Sequence, residues 1–472
     1  MSESVFSTAV PLAETEDAAA ELFGALLEIL GEAVPAALLD SSDHARSPAP
    51  ARSRYSILAF SRGPGAQVVR LDSAAFEWLA EHWPHRGQTE YDDASEPGVP
   101  RAAFQLGWVG WIGYEGQAQL FAATHAVVID HHTGVAEIQS WGQDPGWVSL
   151  VTEAMAADPP AEEGPTRLDG LAVRDSRGDY LDKIRAAQEQ IREGNSYEIC
   201  LTTAISGEFT GSPWAGYRRL REMNRAPFTQ YFRLPSGQHG AATAILSTSP
   251  ERFAAVTEVG TVRSEPIKGT RPRGQTPESD EAQRTDLANH AKDRAENVMI
   301  ADLVRNDLSI HAVPGTLRTE RLCAVETYPS VHQMVSTISA QLAPEVLRAR
   351  ALSDAFPPGS MTGTPKISTI EILAELEGVP RGAYSGVAGW FSSTGACDLS
   401  VLIRTAVLTR GTADTWAFHL GLGGAITADS VPEAEWEEVI TKSGGVLGAL
   451  GAEFPQPGSQ PVQCMGTRGA DC

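Results

Sequence analysis

Three groups of side chains in this sequence could do chemistry together. The pentapeptide Pro266-Ile267-Lys268-Gly269-Thr270 offers an amine, and Pro266 and Gly269 predict a tight turn that projects Lys268 from a stiff loop, as a nucleophile is presented. Two acidic pairs, Asp293/Glu296 and Glu435/Glu438, have i, i+3 spacing on predicted helices, which puts each pair on one helix face. Lys442 follows one turn beyond Glu438. Two carboxylate pairs from two helices could close on a hard, oxygen-seeking cation such as Mg²⁺, which keeps several waters and takes its remaining ligands from a substrate. The spacing also admits a plainer reading, with Lys268 an ordinary surface lysine, the pairs solvated helix faces, and Glu438 and Lys442 an ion pair worth a few tenths of a kcal/mol.

Other chemistries lack their residues. No Gly-x-x-x-x-Gly-Lys-Ser/Thr loop is present, and Gly421-Leu422-Gly423-Gly424 lacks the third glycine of a dinucleotide fingerprint. A Gly-x-Ser-x-Gly elbow and a His-Glu-x-x-His helix are also missing. The five cysteines, at 200, 323, 397, 464 and 472, form no Cys-x-x-Cys pair and read as reduced thiols. A formal net charge of -23 disfavours nucleic acid and anionic membranes as partners and favours a small molecule or another protein. The polar start Met1-Ser2-Glu3-Ser4 and the lack of an apolar run of roughly 18 residues lead us to expect a cytoplasmic location.

The elements that must position these groups are predicted as follows. Helices are expected at Asp17 to Leu30, Tyr180 to Glu193, Ser279 to Val304, Pro365 to Leu376 and Val431 to Leu447. For the last of these, Ser430-Val431-Pro432-Glu433 predicts a capping box with Ser430 at the N-cap and Glu433 reaching back. Strands are expected at Arg54 to Phe60, Gly107 to Tyr114, Tyr197 to Thr202, Ala244 to Ser247, Ala388 to Phe391, Leu399 to Leu408 and Trp416 to Leu422. Strands and helices do not alternate regularly, so the fold class is α+β, with large antiparallel β-sheets flanked by helices. The Pro/Glu/Gly-rich stretch 157–165 divides the chain into a β-rich N-terminal region, 1–165, and a region of 166–452 that holds the chemistry-bearing residues. A tail, 453–472, is rich in Gly, Pro and Gln and expected to be disordered.

Five motifs in unbroken order then bring a family into view: Ser249-Pro250-Glu251-Arg252-Phe253, the Pro266 to Arg273 loop, the run from Asp293 to Asp307, Gly359 to Lys366, and Ser430-Val431-Pro432 with the glutamates after it. Together they resemble the chorismate-utilising enzymes over roughly residues 175 to 450. The N-terminal third resembles them more weakly, through Leu38-Leu39-Asp40-Ser41 and Arg54-Tyr55-Ser56-Ile57. Two positions, Lys268 and Asn297, match the branch that aminates chorismate at C4, where anthranilate synthases carry Ala and His. Isochorismate- and salicylate-forming members use a lysine to activate water where this chain has Glu198.

The resemblance implies that Glu296 and Glu438 hold Mg²⁺, with Asp293 and Glu435 as outer or water-mediated ligands. It implies that Lys268 adds to C2 of chorismate with loss of the 4-hydroxyl, that ammonia then adds at C4 and expels the lysine, and that Glu251 is the general acid/base. Lys268 must lose its proton to attack, so its pKa is expected to be depressed. Arg404, on the strand to Leu408, resembles the arginine that pairs with the pyruvyl carboxylate. Tyr384, Thr364, Gly423, Gly424, Lys442 and His332 fall at positions lining the substrate pocket. Ser41 and Arg54 lie near positions where relatives bind tryptophan, although Leu-Asp-Ser-Ser departs from the commoner Leu-Glu-Ser-Ala. The chain has no Gly-x-Cys-x-Gly elbow of its own, so a glutamine amidotransferase partner is expected to supply ammonia. The product would feed 4-aminobenzoate and folate synthesis or an aromatic-amine secondary metabolite. Two alternatives stand beside this reading: an anthranilate- or 2-amino-2-deoxyisochorismate-forming enzyme, and a non-catalytic subunit that binds an amino acid and regulates a partner.

Overall fold

The computed structural model describes residues 4–12, 17–41, 44–49, 52–84, 102–157, 164–237, 240–410 and 415–455. Two antiparallel sheets dominate it. The first has 12 strands, running from Val5–Pro11 at one edge through Tyr55–Phe60, Ala36–Asp40, Phe228–Leu234, Thr243–Ser249, Thr405–Arg410, Trp416–Ile426 and Glu198–Thr210 to the short strand Gly363–Thr364. The second has 10 strands, running from Ile267–Pro272 through Val331–Gln341, Thr261–Glu265, Arg252–Val256, Cys397–Val401, Val387–Ser392 and Gly107–Ile112 to Val68–Leu71.

Three apolar layers follow from this pairing. Residues from both sheets, among them Leu39, Ile57, Trp111, Phe121, Phe232, Ile245, Ala388 and Leu402, form a core between them. Helices including Ala18–Leu30, Arg177–Arg192, Pro213–Met223 and Pro432–Ala449 contribute to a second core against the first sheet. Helices Ala75–His82, Ala291–Ser309 and Arg348–Ala355 contribute to a third against the second sheet. Each sheet takes strands from both sides of residue 165, so the N-terminal third is woven into the same body as the rest. Residues 158–163 of the expected linker and 456–472 of the expected tail lie outside the described residues. Among the described residues, Cys200, Cys323 and Cys397 are free thiols, and all are buried.

The α+β expectation holds, and four local expectations are corrected. The single helix expected from Ser279 to Val304 is two, Pro277–Asn289 and Ala291–Ser309. His290, with extended backbone at φ -68 and ψ 116, ends the first and caps the second, its ring accepting the Asp293 N–H at 3.4 Å. The strand expected from Leu399 to Leu408 is broken into Cys397–Val401 and Thr405–Arg410, which join different sheets. Arg404 stands at the crossing with φ 50, a left-handed conformation uncommon for a side chain of its size. The Pro266–Gly269 loop is a strand, Ile267–Pro272, whose register slips between Ile267 and Thr270; Lys268 and Gly269 form the bulge, Gly269 at φ 85. The last helix has Val431, not Ser430, at its N-cap, because the Ser430 hydroxyl is turned to Glu435 Oε1 at 2.6 Å and accepts the Thr427 N–H at 3.1 Å.

Candidate active site

The site is assembled where the strand Glu198–Thr210, next to the edge of the first sheet, and the edge strand Ile267–Pro272 of the second meet two helices. Along Glu198–Thr210, side chains alternate between faces: Ile199, Leu201, Ile205 and Phe209 enter the helix-backed core, which turns Glu198 and Cys200 to the opposite side. The bulge in Ile267–Pro272 brings Lys268 to Glu198, Nζ to Oε1 at 2.6 Å. Glu198 is wholly buried and the Lys268 side chain is 11% exposed.

This contact overturns one expectation. Burial lowers the pKa of Lys268, but the Glu198 carboxylate, with Cys200 and Glu296, outweighs it, and the amine is held as a cation well above its ordinary value.

Glu251 follows Ser249-Pro250 at the start of the strand Arg252–Val256 and is 5% exposed. Its neighbours in the wall include Pro266, Phe253, Ala254 and Val401, which enclose a cavity of about 30 Å³ beside it. Burial pushes its pKa from 4.5 up to about 7, against the opposing pull of Ser360, the Lys268 charge and the Ile267 N–H. The buried Ser360 hydroxyl lies within reach of Glu251 without a well-formed bond to any partner. A carboxyl half protonated near neutral pH can donate and take back a proton there.

The acidic pairs are brought together only in part. Lys292 Nζ stands 3.7 Å from Glu296 Oε1 and 3.6 Å from Glu435 Oε1, so one ammonium bridges the two helices. Glu438 Oε1 takes Lys442 Nζ at 2.6 Å, and the same Nζ donates to the Gly423 carbonyl at 2.8 Å. Burial raises the pKa of Glu296, as do Glu198 and Asp293, more than Lys268 and Lys292 lower it. Burial also acts to raise that of Glu438, but Lys442, Lys292 and Lys268 pull it below the ordinary value. Gly424 leaves open the space into which these groups face: a Cβ there would stand 3.4 Å from Glu435 Oε2 and 3.8 Å from Glu438 Oε1. Carboxylates that gather ammonium groups, with Glu435 buried and Glu438 about half exposed, beside room left by a glycine, suit a hard dication with oxygen ligands. Asp293 does not join them. It pairs with Arg271 at 2.8 Å and His290 at 3.0 Å, on the flank of Gly269. Among the described residues, no three His, Cys, Asp or Glu side chains are gathered as a preformed metal cage.

The remaining expected residues divide. Thr364 pairs with Glu198 across the edge of the first sheet, its carbonyl accepting the Tyr197 N–H at 2.7 Å. Tyr384 is 6% exposed, and its ring covers Gly421, where a Cβ would overlap it. Arg404 keeps contact with solvent although crowding by protein lowers its pKa, and no carboxylate among the described residues pairs with its guanidinium. His332 is fully buried with both ring nitrogens engaged, Nδ1 with Thr327 at 2.9 Å and Nε2 with Asp280 at 2.9 Å, so it fastens helix Pro277–Asn289 to the second sheet. Asn297, 1% exposed, donates to the Met334 carbonyl at 3.1 Å and accepts from Ser336.

Ser41 and Arg54 lie away from this site. The Ser41 N–H donates to Ser56 Oγ at 2.9 Å, and Arg54 forms a two-bond pair with Asp130 at 2.9 and 2.7 Å. Ser41, with Leu39, Asp40 and Arg52, borders a cavity of about 830 Å³ between the sheets; Arg54 does not line it. Sequence reasoning missed Lys292, Arg271 and Ser360. Lys292, four residues before Glu296, carried a signal in its i, i+4 spacing.

The model of the chorismate binding enzyme family matches residues 43–448. The chain belongs to this family. Among family members, it is 41% identical over 380 residues to an aminodeoxychorismate synthase of Streptomyces griseus, covering 75% of this chain and 51% of that protein. It is 38% identical over 326 residues to the aminodeoxychorismate synthase component 1 of Salmonella typhimurium, covering 69% and 68%. An anthranilate synthase component 1 of Streptomyces coelicolor is 32% identical over 397 residues. The chain thus spans about half the length of the Streptomyces griseus relative. The crystal structure of anthranilate synthase component I from Streptococcus pneumoniae superposes with a TM-score of 0.68 at 25% identity, covering 83% of this chain and 92% of that one. The Escherichia coli menaquinone-specific isochorismate synthase MenF shares the fold, with a TM-score of 0.69 at 18% identity. No helix among the described residues is long and apolar enough to cross a membrane.

Proposed function

We propose that this chain is the chorismate-aminating component of an aminodeoxychorismate synthase, converting chorismate and ammonia to 4-amino-4-deoxychorismate in the cytoplasm. The observation that carries the reading is the Lys268 amine, held on a strand bulge 2.6 Å from Glu198, in the same site as a Glu251 carboxyl raised to about 7. Relatives named for this activity, at 41% and 38% identity, support it.

In this reading Lys268 forms a bond to C2 of chorismate while the ring double bonds shift and the C4–O bond breaks. Glu251 supplies the proton with which the hydroxyl leaves as water. Ammonia then bonds to C4, the double bonds shift back and the lysine departs. Arg404 receives the pyruvyl carboxylate, a role for which an unpaired guanidinium is suited. Tyr384 walls the pocket over Gly421, while Thr364, Gly423 and Gly424 contribute backbone close to Glu198 and Lys442. Mg²⁺ would be held by Glu296 and Glu438 with Glu435 nearby, displacing Lys292 from between the helices. When bound, it would supply charge for the ring carboxylate and polarise the ring. Asp293, turned to Arg271, is at most a distant contributor. A glutamine amidotransferase partner supplies the ammonia, and the product leads to 4-aminobenzoate.

The cavity of about 830 Å³ between the sheets is large enough for an amino acid such as tryptophan, with Ser41 at its edge and Arg54 bracing the strand behind it. The test of the activity is mass spectrometry of the products formed from chorismate, Mg²⁺ and excess ammonium. An aminated product that retains the enolpyruvyl group and becomes 4-aminobenzoate on adding a pyruvate lyase supports the proposal, and anthranilate or an aminated product that gives no 4-aminobenzoate overturns it.

A further inference from the structure

Glu198 is the one strongly polar group on the inward face of its strand that the chemistry above leaves without a task. Its carboxylate has no access to solvent, one oxygen on Lys268 at 2.6 Å, and the other, Oε2, buried with no hydrogen-bond partner. That second oxygen, facing no donor, is a free acceptor for a proton. The lysine beside it must lose one to become a nucleophile. Both groups are fixed by backbone: Glu198 pairs with Thr364, Ile267 pairs with Val335, and Gly363 packs so tightly on the Glu198 carbonyl that any Cβ there would overlap it. The pair is therefore a built contact between two strands 70 residues apart in sequence rather than two long side chains meeting by chance.

We propose that Glu198 is the positioning residue and resident proton acceptor of Lys268, an inference that rests on the lysine-adduct reading. In the resting protein the pair is ionised, and the carboxylate holds the amine at a fixed place. When substrate covers the 11% of the Lys268 side chain that solvent still reaches, the ammonium loses its remaining hydration, and a neutral acid beside a neutral amine becomes the favoured partition of the same proton. One N–H bond of the ammonium breaks and one O–H bond forms on Glu198. The freed lone pair bonds to C2, and the C4–O bond breaks with the proton from Glu251, releasing water. When ammonia has bonded to C4, the C2–N bond breaks and Glu198 returns its proton to the departing amine. Glu251 regains its proton from the ammonium that delivers ammonia, so chorismate and ammonium yield the protonated amine product and water.

The experiment follows the adduct, not the turnover. The full chain is mixed with chorismate and Mg²⁺ without ammonia, quenched at intervals and weighed by intact-protein mass spectrometry, and Lys268 is labelled in the free protein with an amine-directed reagent mapped by peptide mass. Glu198→Gln keeps the shape and removes the base: the adduct is expected to form about a hundredfold more slowly, with chorismate affinity within about twofold, while labelling of Lys268 becomes faster because its counter-charge is gone. Glu198→Asp, which keeps a carboxylate on a shorter arm, is expected to recover part of the adduct rate. A structural lesion would instead weaken chorismate binding and speed labelling at many lysines, and that pattern overturns the proposal. So does an adduct that forms in Glu198→Gln at the unsubstituted rate. Absence of any adduct in the unsubstituted protein alongside normal product formation removes the lysine adduct itself, and this proposal with it.

Discussion

Replacing Glu251 by glutamine should make the protein more stable at pH 8 and nearly leave its stability alone at pH 4, while removing most of its activity. Glu251 has its pKa raised by burial from 4.5 to about 7, and Gln is close to isosteric but never ionises. Below pH 4.5 the carboxyl is neutral whether the chain is folded or not, so the full stability is present. As pH rises from 4.5 towards 7, the unfolded chain releases the proton while the folded chain keeps it, and stability falls. The difference, at about 1.4 kcal/mol per pH unit, comes to about 3 kcal/mol once the pH exceeds 7. Other titrating groups are common to both proteins and cancel in the comparison. Urea unfolding of both proteins at pH 4, 6 and 8 measures it, with the excess of Glu251→Gln growing from near zero to about 3 kcal/mol. Initial rates at fixed free ammonia should fall by about 10² to 10⁴ in the variant, the usual worth of a general acid. If the variant gains nothing between pH 4 and pH 8, Glu251 is not the neutral buried acid that its surroundings imply.

Other expectations concern the rest of the site. Arg404→Lys should raise the chorismate KM by about tenfold or more in steady-state kinetics, since lysine cannot reproduce a two-bond guanidinium contact, with the unfolding temperature unchanged. Glu438→Ala should move the half-maximal Mg²⁺ concentration up by about tenfold or more in a metal titration, and an unaltered titration would remove Glu438 from the metal site. Gly421→Ala should displace the Tyr384 ring, lowering stability by about 1–3 kcal/mol in thermal unfolding and lowering turnover as the pocket wall shifts.

The sequence carried the chemistry of this site better than its connections. Lys268 and the acidic pairs could be nominated because short motifs and helical spacing are local properties, Glu251 was named only through the family resemblance, and the α+β class followed from irregular alternation of strand and helix patterns. The bond between Lys268 and Glu198 was not, because strand alternation says which way Glu198 faces but not which strand faces it. The same limit hid the capture of Asp293 by Arg271 and the bridging position of Lys292. Local misreadings had local causes. An apolar run through Arg404 looked like one strand because a change of sheet leaves no gap in the hydrophobic pattern, and Asn289-His290 breaks a helix without a glycine or proline to mark it. At the last helix, Ser430 has the right residue type for a cap, but its hydroxyl oxygen accepts the Thr427 N–H while its proton goes to Glu435.

The proposed chemistry turns on Lys268 as the nucleophile. Its most direct test compares the unsubstituted chain with Lys268→Ala, each given chorismate, Mg²⁺ and excess ammonium, with the products resolved by mass spectrometry and the fold checked by circular dichroism. Lys268→Ala is expected to fold and to make no 4-amino-4-deoxychorismate, or to divert ammonia to C2. A folded variant that aminates C4 as fast as the unsubstituted chain would contradict that chemistry.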